Sequence, residues 1–587
     1  MHRHLPFAAF LLCALLQSPQ AEAQERHRIL VDEPAQTLLG FGGSQVFELE
    51  RWVDHPTPGA LYDLLIDDLG LDILRLEMAY ERPSLQGGTW QDRMDDQLEL
   101  LAEAAARGVT TTMLTSWSPP AYLKDNLSVA GGTLARDAQG DFVYDRYADW
   151  WVEGMLEYGS RGVFFDYVSP QNEPVWTDVY PTCKFEPAET PGAAGYIEMY
   201  QAFRARLAQE PTLTPLLMAC ESAGYWDLDS YLALLGPLPW IDAWTHHMYG
   251  LPWTVPTQGV PLQRALKSNW GDRPVFQTEY SSLGSPLGWK DGVHLAHHIH
   301  NVLVEEGAEA FLFWSLLWRD GPSEMDGLVQ VFEPGLQDPT IIVRSCYWGL
   351  KHFSHFLGRG DQRVNIQPLT WTSLRVSAYE RAEDGVVVVV IVNPATGPRQ
   401  IVLELQGMEA GDVTGVLSTD GNPFAAQSGL AIGDVMTMPA ESILTLEVQE
   451  APPPCGPRPG CLGVPNSTGH PATVSGIGSG SIAANDLTLV VEGCPQNTFG
   501  LMFLGQGPAQ APLGNGIRCV DAPLFRMPAI SVDAAGTAMI PFDPSNTQTQ
   551  AVIDPGSTWT FQFWFRDVAA GGAYHTVSGS LDVTFCP

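Results

Sequence analysis

Strand-like segments that alternate with helix-like segments predict a (β/α)8, or TIM, barrel at residues 39–355. Eight apolar, strand-like segments occur there, each followed by a helix-like one. After residue 355 the helical periodicity stops, and segments such as Val386–Val392 predict a side β-sandwich domain at residues 356–449. Residues 461–587 contain short alternating strands and many glycines, which predicts a C-terminal β-sandwich module. The predicted fold class is therefore α/β with two all-β parts.

The individual strands are predicted from short apolar runs that lie between turn residues. Arg28–Val31 is strand-like, and we expect residues 24–38 to join the side β domain. Gly40–Gly43 does not fit the G-x-G-x-x-G pattern of a dinucleotide-binding loop, so a tight strand exit is expected there. Further barrel strands are predicted at residues 72–79, 110–116, 163–168, 216–219, 241–249, 274–282 and 310–318.

The intervening helices are predicted from segments with helical spacing of apolar residues. Asp95–Ala106 is typical, because Gly108 follows it as a C-terminal glycine. The other helices are expected at residues 62–69, 147–158, 195–208, 231–235, 262–267 and 293–305. In such a barrel the carboxyl ends of the strands form the active-site face.

The first residues predict secretion. Residues 1–23 combine a basic start, an apolar run at Leu5–Leu16 that is too short to span a bilayer, and the small residues Ala21 and Ala23 before a cleavage point. The formal net charge of −36 argues against binding to nucleic acid or to an anionic membrane. We expect a secreted, extracellular monomer without a membrane anchor.

The boundary of the last module is predicted from a composition change. Residues 450–460 are rich in proline and indicate an extended, semi-rigid linker. Eight cysteines follow the leader, five of them after residue 450, and a secreted protein can join them in disulfides. The sequence leaves their connectivity open.

Two acidic residues at strand ends are the candidate catalytic pair. Glu173 follows the fourth predicted barrel strand between Pro170 and Pro174, and Glu279 ends the seventh strand 106 residues later. Glycoside hydrolysis uses two carboxyl groups that flank the bond to be cleaved. The alternative interpretation is that both are ordinary strand-end acids that make structural hydrogen bonds.

Seven short motifs then carry a resemblance to a known family. The barrel and the side domain resemble glycoside hydrolase family 30, which includes glucosylceramidases, glucuronoxylanases and β-1,6-glucanases. The matching stretches follow one another in order over about residues 28–450: Gly40–Gly43, Leu74–Leu76, Ser116–Pro120, Ser169–Pro174, His247–Tyr249, Thr278–Tyr280 and Phe313–Trp314. The C-terminal module resembles a separate domain of secreted bacterial proteins, which implies no activity.

The resemblance implies roles for individual residues. It implies that Glu173 is the general acid/base, that Glu279 is the nucleophile, and that the subsite of the attacked sugar is lined by Arg75, Asn172, His247, Tyr249 and Trp314. Glu173 must then begin protonated, with a raised pKa, while Glu279 stays ionised. Arg75 would favour the Glu279 anion, although a purely structural salt bridge is the alternative.

Tryptophans and one arginine at strand exits are further candidates for substrate binding. Indole faces suit the apolar faces of sugar rings, and we assign this role to Trp117 and Trp314. The family's glucuronate-dependent xylanases carry an Arg-x-Tyr clamp after strand eight, and our alignment places Trp318, Arg319 and Asp320 there. We expect Trp318 and Arg319 to contact the substrate, while Asp320 would repel a uronate.

The sequence therefore predicts a retaining O-glycoside hydrolase that acts as an endo-β-glycanase on a polysaccharide. β-1,4-Xylan without glucuronate dependence is favoured. A β-1,6-glucanase, a β-1,6-galactanase or a glucosylceramidase-like exo-enzyme is the alternative, and a non-catalytic carbohydrate-binding protein is the alternative class. No cofactor is expected. His294, His297, His298 and His300 suggest a metal cluster, but the chemistry needs no metal and none is predicted.

Overall fold

We describe the fold from a computed structural model of the chain. It describes residues 24–80, 90–247, 249, 273–281, 288–321, 326–332, 338–370, 372–452, 455–544 and 551–587. The predicted leader at residues 1–23 and the predicted helix at residues 262–267 lie outside these ranges. The chain divides into two compact units, of which the first ends at Glu450 and the second begins at Ala451.

The centre of the first unit is a closed barrel of eight parallel strands, as predicted. In barrel order the strands are β2 (Gly40–Ser44), β3 (Ile73–Glu77), β4 (Thr111–Thr115), β5 (Tyr167–Ser169), β6 (Leu216–Ser222), β7 (Ala243–His247), β8 (Val275–Glu279) and β9 (Ala310–Trp314). Eight mostly apolar side chains, one from most of these strands, fill the interior: Ile73, Met113, Tyr167, Met218, Ala243, Phe276, Ala310 and Leu312. This packing makes the barrel a solid core rather than a pore.

Strand β5 is shorter than the predicted strand at residues 163–168. It begins only at Tyr167, and Phe164 is 58% exposed. Asp166 instead accepts hydrogen bonds from the backbone N–H and the hydroxyl of Thr112 at 2.8 and 2.9 Å. The apolar run therefore includes a lead-in to the strand at the amino-terminal end of the barrel.

Helices surround the barrel and bury one face against it. Their bounds are α1 (Glu50–Val53), α2 (Pro58–Tyr62), α3 (Trp90–Ala106), α4 (Tyr144–Ser160), α5 (Tyr196–Leu207), α6 (Tyr225–Leu235), α7 (Trp289–His300) and α8 (Ser345–Ser354). Asp63–Asp68 and Asn301–Glu306 are π-helical, and Ala121–Leu123 is a 3-10 turn. Helices α7 and α8 cross closely, since a Cβ at Gly349 would lie 2.3 Å from the carbonyl oxygen of Gly292. Only glycine allows that approach.

A nine-stranded sheet forms most of the side domain. Its strands are β1 (Glu25–Thr37), β13 (Gln362–Pro368), β14 (Arg375–Glu380), β15 (Val387–Asn393), β16 (Arg399–Gln406), β17 (Ala410–Thr419), β18 (Asn422–Gln427), β19 (Met436–Met438) and β20 (Ser442–Glu450), in the order β18-β17-β20-β15-β14-β13-β1-β16-β19. A small sheet of β10 (Leu317–Arg319), β11 (Val329–Val331) and β12 (Ile341–Val343) lies beside the barrel.

Strand β15 explains how the side sheet is fixed to the barrel. Val387, Val389 and Ile391 belong to the apolar cluster of the side domain. The alternate residues Val388 and Val390 belong to the cluster that also contains the barrel helices. Because successive side chains of a strand point to opposite faces, the continuous valine run is buried on both sides.

The second unit is all β. Its strands are β21 (Gly456–Pro459), β22 (Thr473–Ile477), β23 (Thr488–Glu492), β24 (Phe499–Gly505), β25 (Pro508–Leu513), β26 (Gly516–Val520), β27 (Phe525–Arg526), β28 (Ile530–Ser531), β29 (Ala538–Pro541), β30 (Thr558–Arg566) and β31 (His575–Thr584). Trp559, Phe561, Phe563 and Phe565 alternate along β30 and are buried in the core of this unit. Disulfides join Cys455 to Cys586 and Cys461 to Cys519.

Part of the predicted linker is a strand. Residues Gly456–Pro459 pair antiparallel with β31, with Gly456 opposite Thr584. An edge strand accommodates the two prolines because it has no neighbour on one side. Among the described residues, no helix is both long enough and apolar enough to cross a bilayer.

Candidate active site

Six polar side chains meet at the carboxyl ends of the barrel strands. Arg75 comes from β3, Asn172 and Glu173 follow β5, Glu221 lies near the end of β6, His247 ends β7 and Glu279 ends β8. All six are buried, and Arg75, Glu221 and His247 have no exposed surface. The barrel therefore brings together groups that are far apart in the sequence, on the face where such barrels bind substrate.

Each carboxylate oxygen of Glu279 accepts a hydrogen bond. Arg75 Nη1 donates to Oε2 at 2.8 Å and the Tyr249 hydroxyl donates to Oε1 at 3.1 Å. Burial raises the pKa of the Glu279 carboxyl, and the charges of His247 and Arg75 oppose this, while that of Glu173 adds to it. Burial and the second carboxylate disfavour the Glu279 anion, while the two positive charges and the hydrogen bond from Arg75 favour it.

Glu173 is held by its backbone as well as by its side chain. Its φ of +40° lies in the left-handed region, which side-chain-bearing residues rarely adopt. Its N–H donates to the carbonyl of Glu221 at 2.9 Å. On the side chain, Oε1 lies 3.0 Å from Nδ1 of His247. The acid is thus fixed at the end of a strand in a conformation that its neighbours impose.

His247 stands between the two candidate catalytic acids. Its Nδ1 is 3.0 Å from Glu173 Oε1 and 3.7 Å from Glu279 Oε1. A ring nitrogen of His247 and one carboxylate oxygen each of Glu173 and Glu279 all lie within 4.8 Å of one another. Burial alone would lower the pKa of His247, but Glu279, Glu173 and Glu221 together raise it to about 10.

Arg75 connects the acids to the rest of the site. Its Nη2 donates to Asn172 Oδ1 at 2.7 Å and to Glu221 Oε2 at 3.0 Å, and its Nη1 also donates to the hydroxyl of Ser44 at 3.2 Å. Its guanidinium lies 4.6 Å from the ring centre of Trp117. The salt bridge considered from the sequence is present, and it includes Glu279 itself.

Glu221 was not predicted from the sequence. Its Oε2 accepts hydrogen bonds from Arg75, from His247 Nε2 at 2.9 Å and from the Thr278 hydroxyl at 2.8 Å. Although burial works in the opposite direction, these contacts hold its pKa at about 2. The available signal was an acid two residues beyond the predicted end of the fifth barrel strand at residue 219.

The predicted tryptophans form one aromatic cluster beside the acids. Trp117 and Trp314 have ring centres 5.4 Å apart, and Trp314 and Trp318 are 6.2 Å apart. Phe47, which was not predicted from the sequence, lies beside all three, with ring centres 5.8 to 6.3 Å apart. Trp117 is 3% exposed, and Trp314 and Trp318 are 8% exposed each, so only a small part of each side chain faces solvent.

Arg319 lies at the margin of this cluster. Its Nη1 pairs with Glu48 Oε1 at 3.2 Å, while Arg51 holds the other oxygen of Glu48. The guanidinium also lies 5.6 Å from the ring centre of Trp318, and the side chain is 48% exposed. Asp320, which follows, is exposed.

Two histidines of α7 contact neighbouring side chains. His297 Nε2 accepts a hydrogen bond from Arg375 Nε at 2.8 Å, and the ring of His298 stacks on Tyr280 at 3.9 Å. Burial lowers the pKa of both histidines to about 3. Among the described residues, the side chains close enough together to hold a cation are Glu173, His247 and Glu279, and the histidines of α7 do not form such a group. The atoms of Glu173, His247 and Glu279 already face one another or a hydrogen-bond donor.

Comparison with known proteins shows which family this chain is similar to. Residues 83–190 match the family model described as O-Glycosyl hydrolase family 30. A relative named Glucuronoxylanase XynC, from Bacillus subtilis, is 22% identical over 442 residues, which are 73% of this chain and 93% of the relative. The resemblance to glycoside hydrolase family 30 is confirmed.

Solved structures of glycoside hydrolase family 30 enzymes share the fold. The catalytic domain of GH30 xylanase C from Talaromyces cellulolyticus is 23% identical, with a TM-score of 0.59 over 72% of this chain and 100% of that one. A glycoside hydrolase family 30 subfamily 8 xylanase, Xyn30A from Clostridium acetobutylicum, is 22% identical, with a TM-score of 0.57 over 72% of this chain and 99% of the other. The family-model match and the curated relative support an O-glycoside hydrolase.

Proposed function

We propose that the protein is a secreted, retaining endo-β-glycanase that hydrolyses β-1,4-xylan. The observation that carries this proposal is the pair Glu173 and Glu279, since one carboxylate oxygen of each lies within 4.8 Å of the other, beside His247. Retaining glycosidases hold their two carboxyl groups about 5 Å apart, whereas inverting enzymes leave room for a water between them. The short separation therefore favours a covalent intermediate.

The balance of charges in the site indicates which carboxyl group carries the proton that the first step needs. The site contains three carboxyl groups, Glu173, Glu221 and Glu279, and two cations, Arg75 and His247. One proton shared by the Glu173–Glu279 pair makes the buried site neutral, which a low-dielectric environment favours. Because Glu279 accepts from both Arg75 and Tyr249, the negative charge resides on Glu279 and the proton on Glu173.

The reaction then follows from this ground state. Glu279 attacks the anomeric carbon while Glu173 gives its proton to the departing glycosidic oxygen, and an ester forms between Glu279 and the sugar. Glu173, now ionised, removes a proton from water, which attacks the anomeric carbon and displaces the Glu279 carboxylate, so that both acids return to their starting states. Arg75 and Tyr249 keep the nucleophile oriented in both steps.

The remaining predicted residues would hold the sugar. Asn172 uses its Oδ1 to accept from Arg75, which leaves its amide N–H groups to face a sugar hydroxyl. A hydrogen bond to the 2-hydroxyl strengthens as the oxocarbenium-like transition state develops. Trp117, Trp314 and Trp318 would form the wall against which the apolar face of the sugar ring packs.

We infer that glucuronate side groups are not required. The guanidinium of Arg319 already pairs with Glu48, and the exposed Asp320 beside it adds a negative charge. A bidentate contact with a uronate would have to compete with the Glu48 carboxylate. The named relatives include glucuronoxylanases. Activity that does not require glucuronate would distinguish this chain from them.

Secretion is supported by the two disulfides of the second unit, which oxidising compartments permit. It is also supported by the resemblance of residues 1–23 to a signal peptide.

The experiment that tests the proposed function is a substrate panel. Purified protein is incubated with linear xylan, arabinoxylan, glucuronoxylan, β-1,6-glucan and β-1,6-galactan, and reducing ends and product masses are measured. We expect internal cleavage of all three xylans, at positions not registered to glucuronate. Proton NMR of the first products should show the β-anomer. Cleavage of glucuronoxylan alone, at a fixed distance from each side group, would refute the claim about Arg319, and an α-anomer would refute retention.

A further inference from the structure

Glu221 is the third buried carboxylate of the site, and the reaction described above gives it no chemical step. Its side chain has no exposed surface, so no substrate atom reaches it. One oxygen, Oε2, receives three donors at 2.8 to 3.0 Å from β3, β7 and β8. A carboxylate so surrounded is an anion, and it acts on the reaction only through the groups that it holds.

The backbone around Glu221 is built to aim this side chain inward. In the pairing of β6 with β7, Cys220 faces Thr245 and Ser222 faces His246, so Glu221 is the extra residue of a β-bulge. The next pair of strands has the same irregularity, with Thr278 as the extra residue. Bulges redirect side chains and occur often beside active sites. Here the two bulged residues hydrogen bond to each other.

We propose that Glu221 is a positioning residue that holds His247 as a charged, doubly donating imidazolium against Glu173, and that its negative charge sets the pH at which the Glu173–Glu279 pair loses its shared proton. This inference deepens the proposed function and rests on it for the role of Glu173.

The hydrogen-bond pattern carries the first half of the inference. Ionised Glu221 can only accept, so the Nε2 atom that faces it at 2.9 Å carries a proton. The other nitrogen, Nδ1, faces Glu173 Oε1 at 3.0 Å. A protonated Nδ1 donates to that oxygen and leaves the second oxygen of Glu173 to carry the proton for the leaving group.

The second half follows from charge. Arg75 and His247 are balanced by Glu221 and one charge on the Glu173–Glu279 pair. Without the charge of Glu221, the site with its shared proton would be positive, and that proton would be released at lower pH. The alkaline limb of the activity profile reports the loss of this proton.

Other titratable groups act on the same residues and must be separated from Glu221. One is Asp227, whose pKa burial raises to about 6 while the charge of His247 lowers it. Burial raises the pKa of several neutral neighbours well above the range of interest: Tyr180, Tyr196, Tyr200, Cys220 and Tyr249. Asp227 is therefore the relevant control.

The test compares pH profiles of kcat/KM for the wild type, Glu221→Gln, Glu221→Asp and Asp227→Asn. We expect Glu221→Gln to move the alkaline limb to lower pH by about one unit, as the removal of a nearby unit charge in a buried site requires. Glu221→Asp keeps the charge and should keep the limb within a few tenths of a unit, with a lower kcat. Asp227→Asn should leave the limb in place. A limb that stays fixed in Glu221→Gln, or that moves equally in Asp227→Asn, overturns the proposal.

A second measurement needs neither turnover nor a folded variant. In wild-type protein labelled with ¹⁵N-histidine, one imidazole should keep two protonated nitrogens at pH 8, where ordinary histidines are neutral. The absence of such a signal refutes the role of Glu221 whatever the substrate. Conversely, the signal can be present while the wild type cleaves no glycan, which would refute the proposed function alone.

Discussion

Glu279 is the residue on which the proposed chemistry depends most directly. Glu279→Gln keeps the size of the side chain and an acceptor for Arg75 but removes the nucleophile. We expect kcat on xylan to fall by several orders of magnitude, because no covalent intermediate can form. Thermal unfolding should show that the fold is retained. Residual activity above about one per cent of the wild-type value would mean that another group attacks the sugar.

Glu173 should show a different pattern, which distinguishes an acid/base from a nucleophile. Glu173→Ala should nearly abolish hydrolysis of xylan, yet it should still form the glycosyl-enzyme from an aryl xyloside with an acidic phenol leaving group. The reason is that such a leaving group departs without a proton. Stopped-flow absorbance should show a burst of phenol followed by slow turnover. Equal loss on both substrates would remove Glu173 from the acid/base role.

The residues of the site differ in how readily the sequence reveals them. Glu173 and Glu279 stand at the ends of apolar strands, and the motifs around Arg75 and His247 accompany them in order. Glu221 also ends a strand, but nothing in the local pattern distinguishes it from a surface acid. Its role arises from a bulge and a φ of +54°, which depend on the pairing of neighbouring strands. Phe47 was missed for the same reason, since its partners come from three other segments of the chain.

At the scale of elements, two buried histidines of helix α7 should make the stability of the fold sensitive to acid. The pKa of His297 and of His298 is about 3 in the folded protein, against an ordinary value near 6.5 when unfolded. Below pH 6.5 the unfolded chain therefore binds protons that the folded chain refuses. Stability should fall as the pH decreases from about 6.5 toward 3, by up to roughly 1.4 kcal/mol per histidine for each pH unit.

Denaturant unfolding between pH 7 and 4 measures this dependence. His298→Gln removes one titrating group, so the fall in unfolding free energy across that range should be shallower than in the wild type. His355→Gln is the matched control, because His355 is exposed and belongs to the same unit. Identical slopes for the wild type and His298→Gln would show that the carboxylates alone account for the acid sensitivity.

The periodicity of apolar residues predicts some of the helices and strands well and others poorly. The alternation of apolar strands and amphipathic helices was enough for the barrel, because each unit must bury one face against the next. The start of β5 was misplaced because an apolar run does not reveal that Phe164 faces solvent. The prolines of residues 456–459 indicated a linker, whereas tertiary pairing with β31 makes them an edge strand.

For the whole molecule, the division at Glu450 predicts that catalysis needs only the first unit. A chain that ends at Glu450 contains every residue of the proposed site and the complete nine-stranded sheet. It should hydrolyse soluble xylo-oligosaccharides with kcat/KM within about twofold of the full-length value. The comparison uses both proteins at equal folded concentration, verified by circular dichroism. A large loss of activity in a folded, truncated protein would assign the second unit a part in catalysis.

The disulfides of the second unit allow a graded test of its stability. Cys455–Cys586 closes a separation of 131 residues and Cys461–Cys519 one of 58. Replacing both cysteines of either pair by serine should lower the unfolding free energy of this unit by about 2–5 kcal/mol, and the longer loop should cost more. Denaturant titration followed by tryptophan fluorescence of the full chain measures both variants. The reverse order would mean that residual structure in the unfolded chain, rather than loop length, determines the cost.

The position of Cys455–Cys586 also has a mechanical consequence. The bond joins a residue just before the first strand of the second unit to one just after its last strand. Tension applied between these two points is carried by the covalent sulfur bridge and bypasses the 131-residue path through the folded strands. A pull on the flanking chain therefore cannot extend this unit in the way it would extend an unbridged sandwich. In a force-extension recording, the unit should show no full-length extension step until a reductant is added.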